Sequence, residues 1–291
     1  MRTAGGVATA VARDRVGARD RAVEALLADG WQHERPYKKW QGVHWRLLSS
    51  CELGARDDPR LAAMVDAELA WLCSPRHRDA IVTVDGRTRR CASQEGNALL
   101  CASLLGHAAD PRARLLADSL MRWQWPDGGW NCDLRPQAVH SSFHETLPPL
   151  RGLAAYGQAT GDAPARAAAV AAADLLLTRA LYRSRRSGTV IDPQWLHLHW
   201  PAYWHYDVLQ GLRGLAAVGA LRRTEAGPAL DRLQRARRSD GSWRPSGRRY
   251  WRRGDGHRSN VDVVDWRGLD SMILTQQARA VLAAAGRDAA G

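Results

Sequence analysis

The sequence predicts an all-α fold built from helical hairpins, and three recurring features carry that prediction. Apolar stretches end on a glycine at Gly54, Gly106, Gly157, Gly219 and Gly286, at spacings of 52, 51, 62 and 67 residues. Glycine accepts the left-handed conformation that closes a helix because it has no Cβ to clash. Helix starts follow the first three of these glycines, at Asp58-Pro59, Asp110-Pro111 and Asp162-Ala163-Pro164, with the aspartates 52 residues apart. An Asp carboxylate accepts the unpaired N–H groups of a first turn, and Pro in that turn has no N–H to leave unpaired. Asp-Gly pairs mark the other helix ends, at Asp29-Gly30, Asp85-Gly86, Asp127-Gly128 and Asp240-Gly241. A period near 50 residues suits a repeat protein whose unit is a pair of helices.

Taken in order, first helices are expected near 10–28, 58–73, 110–124, 163–182 and 224–237, and second helices near 38–53, 92–105, 142–156, 203–218 and 269–285. Tyr203, Tyr206, Leu209, Leu212, Leu215 and Ala216 fall at helical steps, and 163–182 is apolar almost without a break. The start after Gly219 is weaker, with Thr224 as cap and Pro228 in the first turns. No segment shows sustained alternation of apolar and polar residues, so no strand is expected. Five or six such pairs either stack as an open solenoid or close into an α/α toroid, and periodicity is compatible with both.

With 291 residues, 45% of them hydrophobic, the chain can bury a core, and we read 1–291 as one domain. The net charge of +12 comes almost wholly from arginine, since Lys38 and Lys39 are the two lysines among 42 basic residues. That bias, with many alanines, suits a GC-rich coding sequence and weakens any argument from charge to nucleic acid. The five cysteines, at 51, 73, 91, 101 and 132, form no CxxC pair and no secreted framework, so a reducing cytoplasm is the expected location. No apolar run approaches the length of a membrane span, and the N-terminal apolar stretch is too short and too soon charged for a signal peptide.

The residues also resemble a family. QWPDGGW at 124–130 resembles the Q-x-x-D-G-x-W motif of squalene–hopene and related terpenoid cyclases, and RRSDGSW at 237–243 is a copy without the Gln. DGGWNCD followed by HSSFHETLPPLRGL, and WHYDVLQGL at 204–212, are similar to bacterial relatives of the terpenoid cyclase and protein prenyltransferase toroids. The resemblance implies an α/α toroid of five to six hairpins, whose inner helices ring a central cavity, acting on isoprenoid or other specialised-metabolite substrates. There are departures. Asp262-Val263-Val264-Asp265 stands where a cyclase would carry D-x-D-D, and one Phe is too few for a cation-stabilising aromatic cavity. The chain is also one toroid long, where the triterpene cyclases have two domains, and no D-D-x-x-D magnesium motif is present.

Prenyltransferases of this fold hold zinc with Asp, Cys and His, and this chain lacks their D-x-C spacing because Trp130 stands two before Cys132. Cys132 precedes an expected inner helix, His144 begins it, and His205 begins the next. Counted back from the helix-ending glycines, His144 is 13 residues away and His205 is 14, while Glu145 and Asp207 are both 12 away. Equal offsets in a repeat put side chains at similar heights, so Cys132, His144 and His205 are the expected zinc ligands, with a fourth position open for water or substrate. Glu145, Asp207 and Glu95 are the expected proton carriers or ligand-orienting groups, and Asp133 is a further ligand candidate. Cys91, Gln94 and Trp45 are expected to line the same mouth. His197 and His199, spaced i, i+2, are a weaker ligand pair.

Nine arginines fall within 235–258, interleaved with Trp243, Tyr250 and Trp251. With no nucleic-acid-binding motif beside them, they read as a solvated loop or as an anion site, in which Arg249, Arg252 and Asp265 would touch substrate. Serine-hydrolase, P-loop, dinucleotide and HExxH motifs are absent. The sequence therefore predicts a zinc-dependent transferase or cyclase acting on a small-molecule substrate, anionic or isoprenoid, with no nucleic-acid partner. The alternatives are a zinc hydrolase or lyase of a non-isoprenoid substrate and a non-enzymatic binding scaffold.

Overall fold

In a computed structural model of the chain, residues 17–247, 251–252, 254–258 and 261–287 are described. They form an all-α fold of outer and inner helices. The outer set is α1 (17–27), α3 (Arg60–Leu72), α6 (Pro111–Trp123), α8 (Ala163–Leu177) and α10 (Gly227–Arg235). The inner set is α2 (Val43–Glu52), α5 (Ala92–Leu104), α7 (Phe143–Thr160), α9 (Val208–Ala217) and α11 (Leu269–Ala284), and a single-turn helix, α4 (Pro75–Arg78), follows α3. Residues 10–16 of the first expected helix lie outside the described residues.

Burial sets the first inner helices apart from the outer ones, whereas α11 buries a single stripe, Leu269, Ile273, Leu274, Ala278, Val281 and Leu282. The outer α6 buries one stripe, Ala113, Leu116, Ala117, Leu120 and Trp123, as an amphipathic helix does. The inner α2 buries every residue from Val43 to Cys51, and α5 buries all of Glu95 to Ala102, so both are enclosed on all sides. In the inner set α2 packs on α5, α5 on α7, α7 on α9 and α9 on α11, which makes a continuous arc. The Asp-Pro starts work as expected: Asp58, Asp110 and Asp162 accept the N–H groups of Arg60, Arg112 and Ala165.

The Trp at two Asp-Gly turns performs the same task in two repeats. Trp130 Nε1 donates to the carbonyl of Leu120 and Trp243 Nε1 to that of Leu233, each ten residues back at the end of an outer helix. Both indoles are fully buried, and each backbone N–H donates to a threonine of the following inner helix, Thr146 or Thr275. These tryptophans tie outer helix to inner helix.

Three expectations need correction. Gly157 does not end its helix: α7 runs on to Thr160 and closes at Gly161, whose φ is 78°. Gly157 instead lets α8 approach, since a Cβ there would sit 2.6 Å from Arg166 Cγ. Second, α9 begins at Val208, capped by Asp207, so His205 lies in the preceding loop and not on the helix. The 13 and 14 residue offsets of His144 and His205 were therefore measured from unlike marks. Third, Asp85-Gly86 joins strands and not helices. β1 (Val82–Val84) and β2 (Arg87–Arg89) form an antiparallel hairpin, with positive φ at both turn residues as a type I′ turn requires. The V-T-V-D-G-R-T-R run carried that signal in too short a stretch to register as a period.

Candidate metal centre

The hairpin positions the first ligand. Its second strand continues into a parallel bridge between Arg89 and Asn131, and Arg90 N donates to Asn131 O at 3.1 Å. Two segments far apart in sequence therefore run side by side, and Cys91 and Cys132 follow directly on them. Cys91 is also the N-cap residue of α5. Glu145 comes from the first turn of α7, where its Oε2 accepts the N–H of Ser93 at 2.9 Å.

That reach depends on how closely α5 and α7 pack. A Cβ on Gly96 would lie 2.3 Å from Pro149 N, and one on Gly152 would lie 2.3 Å from Gly96 O. Two glycines thus bring the two backbones into contact. Pro148 and Pro149 offer no N–H to clash there, and they leave the carbonyls of His144 and Glu145 without their helical donors.

Sγ of Cys91, Sγ of Cys132 and a carboxylate oxygen of Glu145 all lie within 4.8 Å of one another. Among the described residues they form the one group of three or more His, Cys, Asp or Glu side chains so gathered. The ligand–ligand edge of a tetrahedral zinc site is about 3.5–3.8 Å, so closure requires movements of about 1 Å at most. Cys132 Sγ donates to Glu145 Oε1 at 3.6 Å. A hydrogen bond from Cys132 pulls the Cys91 thiol below its ordinary value, while that same bond, burial and the Glu145 charge push Cys132 far up. Burial raises Glu145 as well. A cation bound here would take the place of the protons that the raised Cys132 thiol and Glu145 carboxyl favour, as in thiolate metal sites.

The Arg90 charge lowers both Cys91 and Glu145, but its guanidinium is bound to Glu95 at 2.7 Å and to Gln94 Oε1 at 3.3 Å. Tyr37 lies beside the site: burial first, then the charges of Glu145 and Cys91, raise its hydroxyl. Tyr37 also forms part of the wall of a groove of about 540 Å³ with Trp71, His77, Arg35 and Arg76.

The other expected site residues fall elsewhere. His144 and His205 both line a void of about 30 Å³ and flank the indole of Trp204, with ring centroids 5.5 and 4.0 Å from it. Neither joins Cys132 in a ligand group. Asp207 is fully buried, caps α9 through Gln210 N, and pairs with His199 Nδ1 at 2.8 Å. Glu95 is fully buried between Arg90 and His77, and burial raises it. Trp45 is a packing residue with no exposed surface, set against Tyr37, Trp40 and Tyr203. Asp133 pairs with exposed Arg135, and His197 bonds Ser246. Arg252 faces Asp255 and Asp265, and Asp265 is held by Arg267. Arg249 lies outside the described residues. Ser93 was placed by the sequence at this end of the inner helices; Tyr37 and Arg90 were missed, because the Arg89–Asn131 bridge that sets Arg90 there and the loop that carries Tyr37 leave no local pattern.

The C-terminal acid that stands out is Asp262, buried and bonded by Tyr203 Oη, Trp266 Nε1 and Val264 N. Burial pushes it up to about 7. Between its ordinary value near 4 and about 7 the folded state holds a proton that the unfolded state releases, so this group's contribution to stability falls as pH rises through that window. His77, held down to about 4 by burial and then by Arg90 and Arg78, works in the opposite sense up to about 6.5. The quantity to read is therefore the difference between wild type and Asp262→Asn in urea midpoints. The wild type is expected to lose ground against the variant from pH 4 to 7, and a constant difference would show Asp262 ionised throughout.

No disulfide joins any of the five cysteines, and no helix among the described residues is long and apolar enough to cross a membrane. No protein-family model, no curated protein and no solved structure matches the chain.

Proposed function

We propose that the protein is a zinc-dependent enzyme acting on a small anionic organic substrate at a Cys91–Cys132–Glu145 centre. The observation that carries this reading is the gathering of two thiols and a carboxylate within 4.8 Å, at the meeting point of two inner helices. Thiolate donors favour zinc over magnesium, calcium or manganese, and three protein ligands leave one position open, which is the catalytic pattern. Bound there, zinc would supply an activated water or a polarised carbonyl. The chain's own part is to orient and exclude. Ser93 N fixes the Glu145 carboxylate, the buried Tyr37 ring shields the site on one side, and Arg35 and Arg76 on the groove beside Tyr37 attract an anion.

We further propose that the inner arc closes into an α/α toroid of the kind the terpenoid cyclase and prenyltransferase resemblance implies. The succession of inner contacts from α2 to α11 and the two equivalent Trp ties support that reading. The substrate is a different matter. The void enclosed by Trp204, His144 and His205 measures about 30 Å³, enough for one or two waters, whereas small-ligand pockets run to about 300–1,000 Å³. That volume favours hydrolysis or elimination of a non-isoprenoid substrate in the groove over transfer or cyclisation of a prenyl chain in the ring. Free thiols suit a reducing compartment, so we place the protein in the cytoplasm.

Cobalt substitution tests the reading without a known substrate. Cobalt-loaded wild type is expected to show thiolate charge-transfer bands, absent in Cys91→Ser and Cys132→Ser and retained in His144→Ala and His205→Ala. Cobalt bound without thiolate bands, or bands lost only in the His variants, would overturn it.

A further inference from the structure

Glu52, the last residue of α2, is the hub of a buried ion cluster. Its carboxylate accepts from Arg151 Nη2 of α7 and, at 2.5 Å, from Arg213 Nη2 of α9. The side chains of Glu52, Arg151 and Arg213 are 8, 17 and 19% exposed. Burial alone would raise Glu52, but the two guanidinium charges override it and hold the carboxyl at about 2. One carboxylate therefore faces two cations, and the cluster is left with a net positive charge. The next anion, Asp207, is already taken by His199 at 2.8 Å.

One side of the cluster borders the 30 Å³ void. The other opens on a cavity of about 480 Å³ between the end of α2 and the length of α11. The charged groups on this wall are Arg19, Arg213 and Glu52, and the remainder is mostly apolar, with Met272, Ile273, Ala280 and Val281 along α11. Gln277, on the same wall, has a buried Oε1 with no hydrogen-bond partner. The volume falls in the range of small-ligand sites.

We propose that this cavity binds an organic monoanion with a carboxylate head and an aliphatic body. The carboxylate meets Arg213, whose planar fork matches it, and the chain lies along α11. A single negative charge balances what Glu52 leaves uncompensated between Arg151 and Arg213, and Arg19 on the same wall adds to its attraction. A diphosphate would bring excess charge against Glu52 in a buried setting, which costs more than it returns. The Gln277 amide presents either oxygen or N–H₂ to the ligand by turning over, so its orphaned acceptor gains a role when the head group is seated. This site needs no metal and stands apart from the cysteine centre.

The test titrates the full chain with straight-chain carboxylates from butanoate to decanoate, by calorimetry and thermal shift, with 1-octanol and octylamine as controls. Saturable binding is expected, with octanoate at least about tenfold tighter than octanol, the scale of one charge-assisted pair. Ala280→Trp fills the cavity from the exposed face of α11 and leaves Glu52, Arg151 and Arg213 themselves unchanged, and is expected to abolish binding. Glu52→Gln leaves the arginines one charge more positive and is expected to tighten octanoate binding by about tenfold. Octanol binding as tightly as octanoate, octanoate binding that survives Ala280→Trp, or no carboxylate binding at all would overturn the proposal.

Discussion

Glu52→Ala is expected to destabilise the protein by about 3–5 kcal/mol, because it removes the shared partner of two buried guanidiniums and leaves both charges uncompensated. Glu52 ties together α2, α7 and α9, three members of the inner arc, so the loss acts on the core and not on one helix. The double change Arg151→Met with Arg213→Met, which removes the cations as well, should recover much of the loss in the Glu52→Ala background. Urea denaturation at neutral pH measures both. A Glu52→Ala variant as stable as wild type would mean that solvent reaching Arg213 through the neighbouring cavity compensates both charges.

The second large effect is expected at Gly96. A Cβ there meets the backbone of Pro148 and Pro149 at 2.3–2.8 Å, and backbone atoms cannot step aside as a flexible side chain can. Gly96→Val should cost about 1–3 kcal/mol as overpacking and, by pushing α7 from α5, should separate Glu145 from Ser93 N and from the two thiols. Metal affinity is therefore expected to fall by about 10–100-fold, the scale of losing a ligand-orienting contact. Gly106→Ala is the control. It sits at φ 81° with nothing near its missing Cβ, so it should lose about 1 kcal/mol from backbone strain and no metal affinity. If both variants lose metal equally, the helix contact does not set the site.

Much of this was legible in the residues because the underlying physics is local. Helix ends need a cap and a left-handed residue, so Asp-Pro starts and terminal glycines marked the helices within a few positions. The centre was half legible. Cys132, Glu145 and Cys91 were all placed at one end of the inner helices, but the histidines were chosen as partners by counting back from Gly157 and Gly219. That count failed because Gly157 permits a close contact and ends nothing, and because Asp207 starts α9 later than the apolar pattern suggests. Cys91 meets Cys132 through a parallel bridge at Arg89 and Asn131, a pairing of segments 42 residues apart. Periodicity within one segment carries no record of such a pairing.

The central claim is the metal centre, and metal content of the purified chain tests it most directly. Protein expressed with zinc and purified without chelator is expected to carry about one zinc per chain by mass spectrometry of the metal. The Cys91→Ser, Cys132→Ser double variant should carry almost none while keeping its helical circular dichroism, and His144→Ala, His205→Ala should carry as much as wild type. Wild-type protein that stays metal-free after zinc loading and dialysis, or a folded double cysteine variant that keeps its zinc, would contradict the account.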